Sequence, residues 1–220
     1  MTMFVGLKML KDFAAITPDT LMMEADRILT ETRQWMLMVV QDDKFVGAVL
    51  KEDVRSSLPS PATTLSRHEL NYLLNKMTVS KIIRKDIPTV MPEAEIEVAA
   101  KIMFDHNLSG LPVLDSAGRL VGNINRNIML EVLVEEMGLA QGGARIVFEI
   151  QDRKGVIAEV SSLIFNMGIS IISTATFFHN DSRMVVFRVQ TDDQGPIVKE
   201  LVKLGYKVVG PEDFRSEWSL

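Results

Sequence analysis

The sequence predicts an α+β protein with two copies of a strand-helix-strand-strand-helix module, followed by an unrelated βαββαβ unit. Three observations carry this reading. Residues 107–122 read Asn-Leu-Ser-Gly-Leu-Pro-Val-Leu-Asp-Ser-Ala-Gly-Arg-Leu-Val-Gly, two short apolar runs around a turn-forming Asp115-Ser116-Ala117-Gly118. Set back by 74 positions, the chain partly repeats: Lys11-Asp12 aligns with Lys85-Asp86, Pro18-Asp19 with Pro92-Glu93, Ala25 with Ala99, and Val39-Val40 with Val113-Leu114. One inserted residue later, Phe45-Val46-Gly47 falls on Leu120-Val121-Gly122. Two copies are too few for a solenoid, so the halves are expected to pack as a pair. After Gly138-Leu139-Ala140-Gln141-Gly142-Gly143 the periodicity changes, and the third unit begins.

In the first unit, residues 1–58, Thr17-Pro18-Asp19-Thr20 opens a helix with Leu21, Ala25, Ile28 and Leu29 on its apolar face. A buried strand at 36–40, a turn at Asp42-Asp43-Lys44, a strand at 45–50 and a helix at 52–58 follow. Residues 59–78 form a Pro/Ser-rich linker and a connecting helix with Leu70, Leu73, Leu74 and Met77 on one face. Ser66 and Glu69 are placed to satisfy each other's backbone amides as a capping box. The second unit, 79–137, repeats the order, with Ile96, Ala99, Ile102 and Met103 as its helix core face and a closing helix at 127–137. Residues 138–143 read as a flexible, Gly-rich hinge.

The third unit spans 144–212, and 213–220 is a tail. Its strand at 145–150 leads through Asp152-Arg153-Lys154-Gly155 into a helix with the stripe Val156, Val160, Leu163, Ile164 and Met167. Gly168 ends that helix. Two strands joined at His179-Asn180-Asp181-Ser182, a helix carrying Ile197, Val198, Leu201 and Val202, and a last strand at 206–209 complete a ferredoxin-like pattern.

Composition narrows the function classes. A net charge of −5 argues against a general nucleic-acid binder, and no apolar run approaches a membrane span. The absence of cysteine excludes disulfides and thiolate chemistry. No charged leader precedes the short apolar run at the N-terminus, so a cytoplasmic location is expected. His68, His106 and His179 lie far apart and make no metal-binding spacing. There is no Gly-x-Ser-x-Gly elbow, no phosphate loop and no Gly-x-Gly-x-x-Gly after a strand. No catalytic residue and no metal are expected, and the chain reads as a binding module rather than an enzyme.

The strand-to-helix junctions are the candidate sites. The first reads Gly47-Ala48-Val49-Leu50-Lys51-Glu52-Asp53, the second Gly122-Asn123-Ile124-Asn125-Arg126-Asn127-Ile128. Free amides at such a junction favour an anion, and a carboxylate there accepts hydrogen bonds from ribose hydroxyls. The residues alone leave two readings of Asp53 open: a ribose contact, or a cap on its own helix.

The duplicated unit resembles the CBS (cystathionine-β-synthase-type) domain, and the pair a Bateman module, most specifically at Ser109-Gly110-Leu111-Pro112-Val113-Leu114-Asp115. The resemblance implies an adenine nucleotide (AMP, ADP, ATP, NADH or S-adenosylmethionine) in clefts between the units, held as a regulatory ligand. The family's usual Gly-x-x-Thr/Ser-x-x-Asp motif puts a hydroxyl on phosphate and an Asp on ribose. Here Asp53 is kept and Leu50 replaces the hydroxyl, with Lys51 or Arg55 near the phosphates. In the second copy Asn125 stands for the hydroxyl and Ile128 for the Asp, beside Arg126 and Asn127. Thr17, Pro18, Ser109, Gly110, Leu111 and Pro112 complete the implied nucleotide site.

The third unit resembles the ACT domain, which implies an amino acid or small metabolite framed by Asp152, Gly155, Val156, Ile157 and Ser170. Lys154 stands where proline is common in that family and Ser170 where asparagine often sits. The order of all three units resembles the acetoin-utilisation protein B family. The resemblances imply a ligand-sensing homodimer acting on a regulated protein partner. Leu50 and Ile128 support a rival reading, an interaction scaffold with degenerate sites. Asp53 and the polar Asn125-Arg126-Asn127 run support the sensor.

Overall fold

The computed structural model describes residues 3–59, 66, 68, 69, 72, 75–150 and 154–218. The linker residues 60–65, Leu70, Leu73, Leu74 and Asp152 lie outside them. The chain folds as two compact bodies, Met1–Met129 and Leu130–Leu220.

The N-terminal body opens with a single turn, α1 (Val5–Lys8), and the short strand β1 (Ala15–Ile16). Helix α2 (Met22–Glu31), strands β2 (Met36–Gln41) and β3 (Lys44–Leu50), and helix α3 (Lys51–Ser57) follow. The second copy supplies α4 (Ile96–Asp105), β4 (Gly110–Leu114), β5 (Leu120–Asn125) and the start of α5 (Arg126–Glu136), whose residues from Leu130 on belong to the second body. Its first strand is reduced to one parallel bridge, Val90 to Val113, which is the repeat image of the Ile16–Val39 pair in the first copy. Both hairpins carry a register shift at the same place, Val39/Val40 and Val113/Leu114. The inserted residue lies in the second turn. Asp42 and Asp43 make a two-residue turn with φ of 51° and 59°, the geometry that matches strand twist. In the longer loop the Asp115 carboxylate instead accepts the Ala117 and Arg119 amides, each at 2.9 Å.

The first helix stripe differs from the sequence expectation at its N-terminal end. Met22, Ala25 and Leu29 are buried in α2, whereas Leu21 is exposed and Ile28 only half-buried. Their images Ile96, Ala99 and Met103 are buried in α4. Each fully buried side chain of this size contributes roughly 1.5–3 kcal/mol relative to leaving it in water.

The two copies interlock through backbone. Neither α2 nor α4 has a side-chain cap. The Met22 amide donates instead to Met77 O at 2.7 Å, and the Ile96 amide to Met3 O at 2.9 Å. Val79 N in turn donates to Thr20 O, and Val5 N to Ala94 O. The segment leading into each copy therefore satisfies helix-start amides of the other, which would otherwise be orphans. The expected capping box is present: the Glu69 amide donates to Ser66 Oγ at 3.4 Å, and the Ser66 amide to Glu69 Oε2 at 2.9 Å.

The C-terminal body contains β6 (Ala144–Ile150), α6 (Val156–Asn166), β7 (Ile171–His179), β8 (Ser182–Val189), α7 (Gly195–Lys203) and β9 (Lys207–Val208). A last turn of helix, α8 (Arg215–Trp218), ends the described chain. The antiparallel sheet has the order β7-β8-β6-β9, so the unit is ferredoxin-like. Phe148, Val185, Phe187 and Val189 meet Val156, Val160, Ile164, Ile197 and Leu201 in its core. Residues 138–143, read from their glycines as a hinge, form a bonded turn in this body. Arg188 Nε donates to Met137 O at 3.0 Å and its Nη1 to Gly142 O at 3.1 Å. A Cβ on Gly143 would stand 2.1 Å from Val189 O, so close approach of two backbones, rather than flexibility, demands that glycine.

Glu149 gives this sheet an acid-sensitive edge. It lies across from Lys207 in the β6–β9 pair, with Nζ 2.8 Å from Oε2, and Ser182 Oγ donates to its other oxygen. The Lys207 bond first, then the Ser182 bond, hold the Glu149 carboxyl below its ordinary 4.5. A depressed pKa stabilises the fold above the unfolded-state value, and that stabilisation is lost as pH falls through the folded-state value. The melting temperature of the C-terminal body is thus expected to fall as pH drops below about 4.5. Glu149→Gln should flatten part of that acid slope. Scanning calorimetry at stepped pH checks it, and an unchanged slope in the variant would refute the assignment.

Candidate functional site

The two strand-to-helix junctions, alike in sequence position, differ in what faces them. At the first, β3 ends at Leu50 and α3 starts without a side-chain cap; the Lys51 amide donates to Trp35 O at 2.9 Å. Asp53 is taken by Arg84. The guanidinium makes a two-point bond, Nε to Oδ2 at 2.7 Å and Nη2 to Oδ1 at 2.8 Å, and Nη2 also reaches Glu52 Oε1 at 3.2 Å. This fork-on-carboxylate geometry is the strongest form of the pair, and the Asp53 hydrogen bond raises the Arg84 pKa further. The position of Arg84 is fixed by backbone, since Arg84 and Ala48 exchange N–H···O bonds of 2.8 and 3.0 Å. Leu50 is buried with Met36, Met38, Ala48 and Ile87. Arg55 is directed to α2, where its Nε lies 3.6 Å from Asp26 Oδ1. Thr17 and Pro18 border a separate hollow of about 530 Å³ with Asp19, Asp42 and Asp43, away from Asp53.

At the second junction a cavity of about 500 Å³ opens. Asn125 at the end of β5 and Arg126 and Asn127 from the start of α5 line it, with Ser109, Gly110 and Leu111 from the head of β4. The first copy contributes the opposite wall: Leu10, Thr32, Arg33, Gln34, Trp35, Met36 and Met38. Pro112 is buried in β4 and is not part of the lining. Asn125 caps α5 by accepting the Ile128 amide on Oδ1 at 3.1 Å. Arg126 is anchored, with Nε donating to Leu108 O at 2.8 Å and Nη2 to Asn107 Oδ1 at 3.0 Å. Asn123, the one buried polar residue among the described residues, is 8% exposed and exchanges backbone bonds with Leu10. Leu10 is the repeat image of Arg84, and Ile128, 6% exposed, is the image of Asp53. The ion pair that fills the first junction is therefore replaced by two apolar residues at the second.

This arrangement can hold a planar apolar group against Trp35, Met36 and Met38, with amides and two arginines for polar and anionic parts. Sequence reasoning missed the first-copy wall. The repeat held the signal: Arg33 lies 74 positions before Asn107, so residues flanking one junction in one copy recur opposite it in the other.

In the C-terminal body Gly155, Val156 and Ile157 border a hollow of about 370 Å³ with Lys154, Thr176 and Arg183. Ser170 is not brought to it; its carbonyl accepts the Gln190 amide at 2.9 Å. Among the described residues no group of three or more His, Asp or Glu side chains is placed to hold a metal ion. Among them, too, no helix is long and apolar enough to cross a membrane.

The family model of the CBS domain matches residues 5–60 and 79–135, one match in each copy. The chain belongs to the CBS-domain family. A CBS domain-containing protein of Dictyostelium discoideum is 30% identical over 136 residues, covering 61% of this chain and 94% of that protein. Inosine-5′-monophosphate dehydrogenase of Thermoplasma acidophilum is 32% identical over 116 residues, 52% of this chain but 20% of the enzyme. Homoserine O-acetyltransferase of Methanosalsum zhilinae is 32% identical over 108 residues, 44% of this chain and 22% of the enzyme. The chain thus spans about a fifth of the length of those two enzymes. Among solved structures the CBS-pair protein CBSX2 of Arabidopsis thaliana superposes with a TM-score of 0.51 at 23% identity, over 65% of this chain and 100% of that one. A structure described as an acetoin utilization protein (AcuB) of Vibrio cholerae gives 0.53 at 18%, over 64% and 97%. These likenesses establish the paired CBS fold.

Proposed function

We propose that this CBS pair is a non-catalytic sensor that binds an adenine nucleotide in the cleft between Trp35 and Arg126. The observation that carries the reading is the cavity itself: about 500 Å³, with an aromatic and two methionines on one wall and amides and a guanidinium on the other. Supporting it, a dehydrogenase and an acetyltransferase each carry, in about a fifth of their length, a segment 32% identical to part of this chain. Similarity to a minor part of two enzymes with unrelated reactions fits a regulatory part and not a reaction centre. A ligand shifts such a protein only through differential affinity for its conformations. The ACT resemblance adds a second site for an amino acid or small metabolite, at the hollow beside Lys154 and Gly155. The closure of Asp53 by Arg84 favours a narrower form of the scaffold alternative, in which the first junction is purely structural.

Calorimetric titration with AMP tests the reading. Wild type should bind with saturation at one site. Arg126→Ala should weaken binding by roughly tenfold or more, the usual loss for a charged hydrogen-bond donor. Asp53→Ala should leave affinity within about twofold, because Arg84 already occupies that carboxylate. Loss of binding in Asp53→Ala, with Arg126→Ala unaffected, would move the site to the first junction. The family resemblance also implies a homodimer, which the sedimentation mass of the titrated samples reads directly.

A further inference from the structure

We propose that the cleft recognises its nucleotide by anionic charge and not by the ribose diol, and that Arg33 is kept at a conformational cost to supply that charge. The inference rests on the adenine-nucleotide reading and deepens it.

Charge is segregated in this protein. The chain as a whole carries −5, yet Arg33 and Arg126 line the cleft and no Asp or Glu does. The carboxylate that the first junction offers at Asp53 is missing here, because its image is the buried Ile128. Asn125 does not substitute for it: its oxygen already accepts the Ile128 amide and, being uncharged, is a weaker acceptor than a carboxylate. A ribose diol donates most strongly to a carboxylate, so this cleft lacks the group that distinguishes ribose from deoxyribose. A phosphate, by contrast, meets guanidinium groups. Arg126 uses two of its five N–H donors on Leu108 and Asn107, which fixes its plane and leaves the others for a ligand.

Arg33 carries the second argument. It follows α2 with φ of 54°, in the left-handed region that long side chains occupy at a cost. Its repeat image, Asn107, follows α4 with φ of 50°. Asparagine is one of the few residues that suits this helix-ending position. The same backbone position is thus filled by a compatible residue in one copy and by a strained one in the other. The strained one faces the cleft, as functional outliers commonly do.

The test uses the full chain with AMP, 2′-deoxy-AMP and adenosine as probes, on wild type, Arg33→Asn and Arg33→Lys. AMP and 2′-deoxy-AMP should bind within about threefold of each other, and adenosine at least about tenfold more weakly. Arg33→Asn, which copies Asn107, should melt at the same or a higher temperature while losing about tenfold or more in AMP affinity. Arg33→Lys should keep most of the affinity. Adenosine binding as tightly as AMP would overturn charge recognition, and 2′-deoxy-AMP binding more than tenfold weaker would overturn diol blindness. A lower melting temperature in Arg33→Asn would overturn the conformational cost, and unchanged AMP affinity would remove Arg33 from the site. If none of the three probes binds wild type, the adenine reading itself falls and takes this proposal with it.

Discussion

Gly47→Val should destabilise the N-terminal body by about 2–6 kcal/mol, the sum of a backbone and a packing penalty. Gly47 has φ of 143°, where a β-branched residue is strained. A Cβ there would also lie 2.5 Å from Arg84 O and 2.6 Å from Ile83 Cγ2. The first of these is backbone, held by the Ala48–Arg84 exchange, and has little room to retreat. The repeat supplies an internal control. Gly122, the image of Gly47, meets Met9 Sδ at 2.8 Å and Leu10 O at 2.9 Å and does not share the positive φ. Gly122→Val should therefore cost less, because Leu10 O leaves more room than Arg84 O, a methionine tip moves and no backbone strain is added. Chemical denaturation, with hydrogen exchange of the β2 and β3 amides to identify the body that melts, measures both. Equal losses in the two variants would show that φ plays no part.

The same comparison shows how far the sequence carries. The offset of 74 is legible because apolar positions recur, and it maps Ile16–Val39 onto Val90–Val113 and one hairpin irregularity onto the other. The βαββαβ order of the third unit was equally legible from alternation and stripes. The interlock was not. Met77 O and Met3 O cap the opposite helices through backbone, and backbone contacts leave no residue-type signature. The sites divide in the same way. Asn125, Arg126 and Asn127 come together with Ser109, Gly110 and Leu111 because they are neighbours across one hairpin. Asp53 and Arg84 lie 31 positions apart in different copies, so nothing local announced that one would pair with the other. Arg33 and Trp35 went unnoticed for the same reason. Gly142 and Gly143 suggested freedom in the sequence, and the Arg188 guanidinium that binds their carbonyls lies too far along the chain to be read with them.

Phe148→Ala should cost the C-terminal body about 3–5 kcal/mol, the range for emptying a large aromatic site in a packed core. Phe148 is fully buried, with Phe187 stacked at 6.1 Å and Tyr206 tilted against it at 5.0 Å between ring centroids. It also sits on β6, the strand hydrogen-bonded to both β8 and β9, so relaxation around the cavity would disturb two pairings at once. A loss of this size approaches the whole stability of a small domain. Its value lies in what should survive. Every residue lining the proposed nucleotide cleft, from Leu10 to Asn127, belongs to the N-terminal body. AMP affinity in Phe148→Ala should therefore remain within about twofold of wild type at a temperature where only the C-terminal transition has advanced. Retained binding would establish the CBS pair as a self-sufficient ligand module, with the ferredoxin-like unit free to respond to a second molecule or to relay the first. Binding lost in step with the C-terminal transition would mean that the cleft depends on the other body for its shape. The two sites would then be thermodynamically linked, and a metabolite at one would alter affinity at the other by an equal and reciprocal factor.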